Sequence, residues 1–315
     1  MSEVDFKLNT PVAFIIFNRP DTAQRVFNEI RKAKPTQLLV IADGPRTSRP
    51  GEDEKCKQTR AIIKQVDWDC KVLTNFSDVN LGCKVRVSSG LDWVFNEVEE
   101  AIILEDDCLP DSTFFKYCQE LLEFYREDER IMMISGDNHL FGKKIIGDSY
   151  YFSQNAYIWG WASWRRAWNK YDVTMKIWPQ VRDDKGLERI FDNKALRKYW
   201  THIFEEVYHG KIDTWDYQWV FTCFLQKGLN VTPNRNLISN IGFGDGATHT
   251  LDDHAITANM AVEPMKFPLT HPQFLINDLE ADKIVAQDIW KVKLDPKYKR
   301  MAKKIRNIIN RLIHC

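Results

Sequence analysis

Ala101-Ile102-Ile103-Leu104-Glu105-Asp106-Asp107-Cys108-Leu109-Pro110 is the stretch on which the reading of this chain turns. Its apolar half predicts a buried strand, and it ends abruptly in three acids with a Pro stop behind them. Three carboxylates at one strand end repel one another unless a cation sits among them. An oxygen-only donor set suits a hard ion, Mg²⁺ or Mn²⁺, rather than zinc. Side chains alternate on an extended backbone, so the spacing predicts Glu105 and Asp107 on one side and Asp106 on the other. One side would then serve a metal and the other a neighbouring ligand group. A solvated acidic turn explains many a Glu-Asp-Asp. The core strand before this one and the Pro after it favour a site, because open α/β sheets bind ligands at the carboxyl ends of their strands.

Toward the N-terminus the same logic repeats. Pro11 to Phe17 is an apolar, β-rich run that predicts a first buried strand, stopping at Asn18-Arg19-Pro20-Asp21 where a helix starts. Gln37 to Ala42 predicts a second strand ending in Asp43-Gly44-Pro45, so a carboxylate again stands at a strand terminus. An Asp-Gly turn explains Asp43 about as well as a binding role does. Glu52 to Val66 predicts a helix, Cys70 to Asn75 a third strand, and Asn80-Leu81-Gly82 opens a helix to Val98. This alternation over about the first 105 residues predicts a parallel sheet covered by helices on both faces. No G-x-G-x-x-G follows the first strand and no G-x-x-x-x-G-K-S/T occurs. A nucleotide here must be held by a metal and strand-end acids instead of a phosphate-cradling loop.

Beyond Pro110 the chain changes character. Ser112 to Glu127 predicts a helix, Ile131 to Gly136 a buried strand, Leu187 to His209 one long helix, and Asp213-Thr214-Trp215-Asp216-Tyr217-Gln218-Trp219 the start of another. Of the eleven Trp, most concentrate between Tyr157 and Trp219. Trp159, Trp161, Trp164 and Trp168 read as core, with one of the four expected at the site. Ile241 to Thr250 is a Gly-rich loop suited to order over a ligand. His202, His209 and Asp252-Asp253-His254 read as solvated.

Lys plus Arg and Asp plus Glu are each 44 in 315 residues, and this balance argues against a broad nucleic-acid surface. Seven cysteines without a C-x-x-C pair read as reduced core thiols. There is no run of membrane-spanning length, and Met1 to Thr10 lacks the layout of a secretion signal, so a cytoplasmic protein is expected. From Lys297 to Arg311 seven basic residues occur without an acid, with Ile305, Ile308, Ile309, Leu312 and Ile313 at helical spacing. That pattern predicts a basic amphipathic helix that either lies on the inner face of a membrane or packs on the domain. The expected organisation is a catalytic domain over residues 1–270 and an extension over 271–315.

The order strand–Arg19, strand–Asp43-Gly44, strand–Glu105-Asp106-Asp107, Gly160-Trp161, Trp215-Asp216 and a Gly/His loop resembles the GT-A glycosyltransferases. The closest resemblance is to the inverting N-acetylglucosaminyltransferase I group, over roughly Pro11 to Thr250. The Glu-Asp-Asp followed by Pro110-Asp111 and Phe114-Phe115 is the most specific part, and Trp215-Asp216 with Trp219 the second. The resemblance implies a Rossmann-like nucleotide-diphospho-sugar transferase fold, a mixed, mostly parallel sheet flanked by helices. It implies a UDP-sugar donor whose diphosphate rides on Mn²⁺ or Mg²⁺ held by Asp107. It further implies Asp106 on the ribose, Glu105 on donor-sugar hydroxyls, Asp43 and Arg19 around the base, and Asp216 as catalytic base. The Gly242 to Thr250 loop, with Gly244 and His249, would close over the diphosphate. Where the group carries paired acids after the tryptophan, this chain has Asp216-Tyr217, so Asp213 stands as the alternative base.

The residue types suit such chemistry. A carboxylate within reach of the attacking hydroxyl suffices as general base, and a neighbouring Trp raises its pKa and offers a stacking face to an acceptor sugar. The expected activity is transfer to a saccharide or lipid-linked glycoconjugate in surface polysaccharide assembly. The alternatives are a sugar nucleotidyltransferase, which usually carries a Gly-rich basic loop after its first strand, and a non-catalytic carbohydrate-binding or toxin-like protein. Tryptophans fit the last, but carboxylates at several strand ends do not.

Overall fold

The structure is a computed structural model that describes residues 6–243 and 256–294. Its centre is an eight-stranded mixed sheet. The strands in chain order are β1 (Val12–Ile16), β2 (Gln37–Ala42), β3 (Lys71–Phe76), β4 (Glu100–Glu105), β5 (Cys108–Pro110), β6 (Ile131–Ser135), β7 (Tyr150–Ser153), β8 (Trp161–Trp164), β9 (Leu229–Pro233) and β10 (Ile238–Asn240). The large sheet runs β3-β2-β1-β4-β8-β6-β9-β7, and β5 pairs with β10 in a separate ribbon. β1, β2, β3 and β4 are mutually parallel, β8 is antiparallel to β4 and β6, β9 is parallel to β6, and β7 is antiparallel to β9.

Alternation along the buried strands splits the core into two layers. Val12, Phe14, Val40, Ile102 and Leu104 face one side, where they meet Val26, Phe27 and Ile30 of the helix Pro20–Ala33 and Phe114, Cys118 and Leu121 of the helix Thr113–Phe124. Ala13, Ile15, Leu39, Ile41 and Ile103 face the other, against Val87, Leu91, Val94 and Phe95 of the helix Gly82–Glu97 and Trp161, Trp168, Trp215 and Trp219. Every residue of β1 is buried, as expected for a central parallel strand covered on both faces. The strand order turns outward between β1 and β4, which leaves a crevice beyond their carboxyl ends.

Two expectations need correction. The helix expected over Leu187 to His209 is broken: a 3-10 turn spans Gly186–Arg189 and the α-helix runs only over Lys194–Tyr208. Asn193 is the reason, because its side chain accepts from the N–H groups of Ala195 and Leu196 and so starts a new helix. Strict alternation also fails at the acids. The chain turns at Asp106-Asp107 between β4 and β5, which puts all three carboxylates on one cavity instead of two sides.

Residues 271–294 lie against the sheet. The helix Leu279–Asp288 buries Ala281 and Val285 on Leu140, Tyr151 and Tyr157, and Asn277 bridges to Phe152 of β7. The six cysteines among the described residues are free. No helix among the described residues is long and apolar enough to cross a membrane.

Candidate active site

Three strand ends and one helix start surround a cavity of about 510 Å³. β1 delivers Phe17, Asn18 and Arg19. Pro20 begins the helix behind them, since its missing N–H leaves no unmet bond in a first turn. The same ring keeps Arg19 out of the helical region, at φ −119° and ψ 77°. From there Arg19 Nη1 reaches Asp107 Oδ2 at 2.8 Å, and Asp107 and Arg19 are only 16% and 21% exposed.

The acid trio sits in a strained electrostatic setting. Burial first, and then the charges of Asp107, Asp106 and Asp216, push the Glu105 carboxyl well above its ordinary range. Among the described residues Glu105 has no hydrogen bond or ion pair that relieves this. Burial and the Asp107 charge push Asp106 up to about 7, against the opposing pull of Arg19 and the Phe17 N–H, which donates to Asp106 Oδ2 at 2.9 Å. Asp107 is also raised by burial, with the Arg19 guanidinium pulling the other way.

A hard divalent ion fits this donor set. Asp107 already holds the Arg19 guanidinium at Oδ2 and accepts from the Cys108 thiol at Oδ1, and the flanking Glu105 and Asp106 add carboxylate oxygens to the same cavity. Among the described residues no three acidic, His or Cys side chains converge as a full ligand set. One protein carboxylate with the remaining positions left to phosphate and water oxygens is a common arrangement for Mg²⁺.

The second strand's carboxylate is differently employed. Asp43 Oδ1 accepts from the N–H groups of Gly44 and Leu81, and Oδ2 accepts from Gly82 N–H and Asn80 Nδ2, at 2.9–3.0 Å. Asp43 thereby anchors the start of the helix Gly82–Glu97, where Gly82 needs φ +78°, while still touching the cavity. Arg46, which the sequence reading passed over, sits 5.4 Å above the Phe17 ring and pairs with Glu52 at 2.5 Å.

Across the cavity, Asp216 opens the helix Asp216–Leu225. Its Oδ1 accepts from the Tyr217 N–H at 2.9 Å and from the Thr214 hydroxyl. Asp213 lies on the same wall and is exposed. Trp215 touches the cavity but is 2% exposed and stacks on Trp161 at 5.7 Å, so the expected stacking face for a sugar is taken by the core. Of the four tryptophans expected to provide one site residue, Trp159 does: it lines the cavity and meets Phe243 edge-on at 5.8 Å.

The end of β10 closes the cavity at Asn240, and the segment after it passes beside Asp107. Asn240 pairs with Cys108, the Ile241 N–H donates to the Asp107 carbonyl at 2.8 Å, and the Gly242 N–H donates to Asn240 Oδ1 at 2.9 Å. A Cβ on Gly242 would lie 2.0 Å from Asp107 Oδ2, so only glycine lets the chain pass this close. Arg19, Asp43, Glu105, Asp106, Asp107, Asp213 and Asp216 thus share one cavity. Arg19, expected around a base, is placed on Asp107. Gly244, His249, Asp252 to His254 and the basic segment from Lys297 lie outside the described residues.

No protein-family profile and no curated protein matches the chain. Among solved structures it is similar to a UDP-glucose pyrophosphorylase complexed with UDP-glucose, at 11% identity and TM-score 0.28, over 47% of this chain and 64% of that one. It is similar to an apo UDP-glucose pyrophosphorylase, at 11% identity and TM-score 0.36, over 70% of this chain and 90% of that one. It is also similar to mouse xyloside xylosyltransferase 1 in its apo form, at 11% identity and TM-score 0.33, over 69% and 82% of the two chains. Likeness at this level carries no conclusion about donor, acceptor or reaction.

Proposed function

We propose that this chain is a GT-A-type, metal-dependent, inverting glycosyltransferase. It moves a sugar from a nucleotide-diphosphate donor, a UDP-sugar, to a hydroxyl of a saccharide or lipid-linked glycoconjugate. The observation that carries the reading is the meeting of two acid sets, from two different elements, in one cavity at the β1/β4 switch point. Glu105, Asp106 and Asp107 at the end of β4 and Asp216 at the start of the helix Asp216–Leu225 line the same cavity, and the Asp216 charge acts on Glu105. A donor held by the first set would present its anomeric carbon toward the second, where a carboxylate receives the proton of the attacking hydroxyl.

Asp107 would hold Mn²⁺ or Mg²⁺, whose charge when bound offsets the negative charge that gathers on the departing diphosphate. Asp106 would take the ribose and Glu105 the donor-sugar hydroxyls, giving that buried carboxylate the donors it lacks. Arg19, already beside Asp107, is positioned to follow the diphosphate, and Asp43 holds the floor of the base-binding end. Asp216 accepts the acceptor proton, and Trp159 shields the reacting centre from water. The link from β1 to the helix at Pro20 is only Phe17-Asn18-Arg19, which gives no room for the Gly-rich loop of a nucleotidyltransferase.

We assign the acceptor to surface polysaccharide assembly at the inner face of a membrane on the basic composition of Lys297 to Arg311 alone. A calorimetric screen of UDP-, GDP-, CMP- and dTDP-sugars with and without Mn²⁺, followed by NMR of the product anomer, tests the reading. Metal-independent binding, or retention at the anomeric carbon, would overturn it.

A further inference from the structure

Resting on the reading that a diphosphate is held beside Asp107, we propose that the side-chain amide of Asn240 donates a hydrogen bond to the terminal phosphate of that diphosphate. Asn240 is the last residue of β10, is only 2% exposed and lines the cavity. Its Oδ1 accepts the Gly242 N–H at 2.9 Å, and its carbonyl accepts the Asn259 N–H at 3.0 Å. The bond to Oδ1 also settles which end of the amide is which, so the NH₂ group is the one left over. Among the described residues that NH₂ meets no acceptor, and the cavity is the space that remains to it.

Register puts this donor beside the carboxylate assigned to the cation. Asn240 pairs with Cys108 across the antiparallel β5/β10 ribbon, and paired residues project from the same face. On that face the Cys108 thiol reaches Asp107 Oδ1 at 3.7 Å, and the Ile241 N–H, one residue on, donates to the Asp107 carbonyl at 2.8 Å. The base-binding end assigned to Asp43 lies at β2, with β1 between it and β4, so the phosphate nearer Asn240 is the terminal one. A turn to Gly242 accounts for Oδ1 alone, and an aspartate would serve it equally well. The amide adds a donor where Glu105, Asp106 and Asp107 present acceptors. As the acceptor oxygen bonds the anomeric carbon and gives its proton to Asp216, the electron pair of the breaking carbon–oxygen bond stays with the terminal phosphate. A donor aimed there is stronger in the transition state than in the bound donor sugar.

The test reads the amide directly. In protein labelled with ¹⁵N at asparagine side chains, Asn240→Ser identifies the Asn240 NH₂ resonances. Saturating Mg²⁺–UDP and Mg²⁺–pyrophosphate should each move one of these protons downfield, while Mg²⁺–UMP leaves both near their free positions. Asn240→Asp keeps an acceptor for Gly242 and removes the donor. Its calorimetric affinity for Mg²⁺–UDP should fall at least about tenfold, and for Mg²⁺–UMP about threefold at most. Asn240→Ser carries the same expectation if the aspartate variant does not fold. Bound UDP with an unmoved amide, an equal response to UMP, or parental UDP affinity in Asn240→Asp overturns the proposal and leaves the diphosphate reading standing. Failure of that reading looks different: neither UDP nor pyrophosphate then binds the parent with Mg²⁺, and both fall together.

Discussion

Replacing Asp107 with Asn changes no volume and removes one charge, and the cavity geometry predicts opposite effects with and without metal. In the free protein two consequences compete. The charge-assisted bond to Arg19 at 2.8 Å is weakened, a loss of about 1.5–3 kcal/mol for such a bond. Glu105 and Asp106 lose a like-charged neighbour, and a unit pair about 4 Å apart near a protein surface interacts by up to about 4 kcal/mol at an effective dielectric of 20. The two nearly cancel, so the melting temperature should move by no more than about 3 °C. With Mn²⁺ present the outcome is one-sided. Asp107 is the carboxylate assigned to the cation, so UDP affinity measured by calorimetry should fall at least about 100-fold, or roughly 3 kcal/mol. In EDTA the sign reverses, because the diphosphate no longer meets a third carboxylate, and the variant should bind UDP at least as tightly as the parent. Parental affinity of Asp107→Asn in Mn²⁺, or indifference of the parent to EDTA, would refute the reasoning.

Asp216→Asn should preserve UDP affinity and lower kcat by roughly 10²–10⁴-fold, with Asp213→Asn near the parent; the reverse ranking in steady-state kinetics moves the base to Asp213. Gly242→Ala places a methyl 2.0 Å from Asp107 Oδ2 and 2.6 Å from Arg19 Nη1, so either the Asp107–Arg19 pair or the segment after β10 must shift and UDP affinity should fall at least about tenfold; parental affinity by calorimetry would show that this segment is not part of the site. His139 is buried and its pKa is lowered by that burial to about 4, so the unfolded chain binds a proton that the folded one refuses between about pH 6.5 and 4. That part of the stability is present above pH 6.5 and is lost as pH falls through the window, by roughly 3 kcal/mol in full. Melting curves of the parent and His139→Phe should therefore converge or cross on acidification, and parallel curves would count against a neutral buried imidazole.

The first half of the fold was legible because its strands are continuous apolar runs and its helices carry ordinary start signals. β1, β2 and β4 all appear in the sequence within a residue or two of their places in the structure. β7, β8, β9 and β10 were not foreseen as strands. Two are aromatic segments buried at every position, and the other two break the apolar pattern with Asn230, Thr232 and Asn240. That Arg19, Asp43 and Glu105 to Asp107 stand just at or beyond strand ends was legible for the same reason as the strands. Their bonds were not. Nothing in Asn18-Arg19-Pro20 says that Arg19 reaches residue 107, and nothing in Asp43-Gly44 says that four donors arrive from Gly44 and residues 80–82.

Hydrogen-bond satisfaction, rather than burial, sets Glu105 apart from Asp43 and Asp282. Asp282 is buried and raised to about 6, yet it accepts from Ser153 Oγ, Asn155 Nδ2, Asn277 Nδ2 and the Gln154 N–H. Those donors explain it completely: it ties the helix Leu279–Asp288 to the chain after β7. Asp43 is occupied in the same way and stabilises a helix start. Glu105 is half-buried, has no such donor among the described residues, and is crowded by Asp106, Asp107 and Asp216. A fold has no reason of its own to keep a buried acid without partners, since that arrangement costs free energy until something arrives with positive charge or hydroxyls. The Arg19 charge opposes the shift at all three acids, but its ion pair within the trio is with Asp107. The remaining deficit lies at Glu105 and Asp106, facing the cavity, and a ligand that brings a cation and several hydroxyl groups is the kind that removes it.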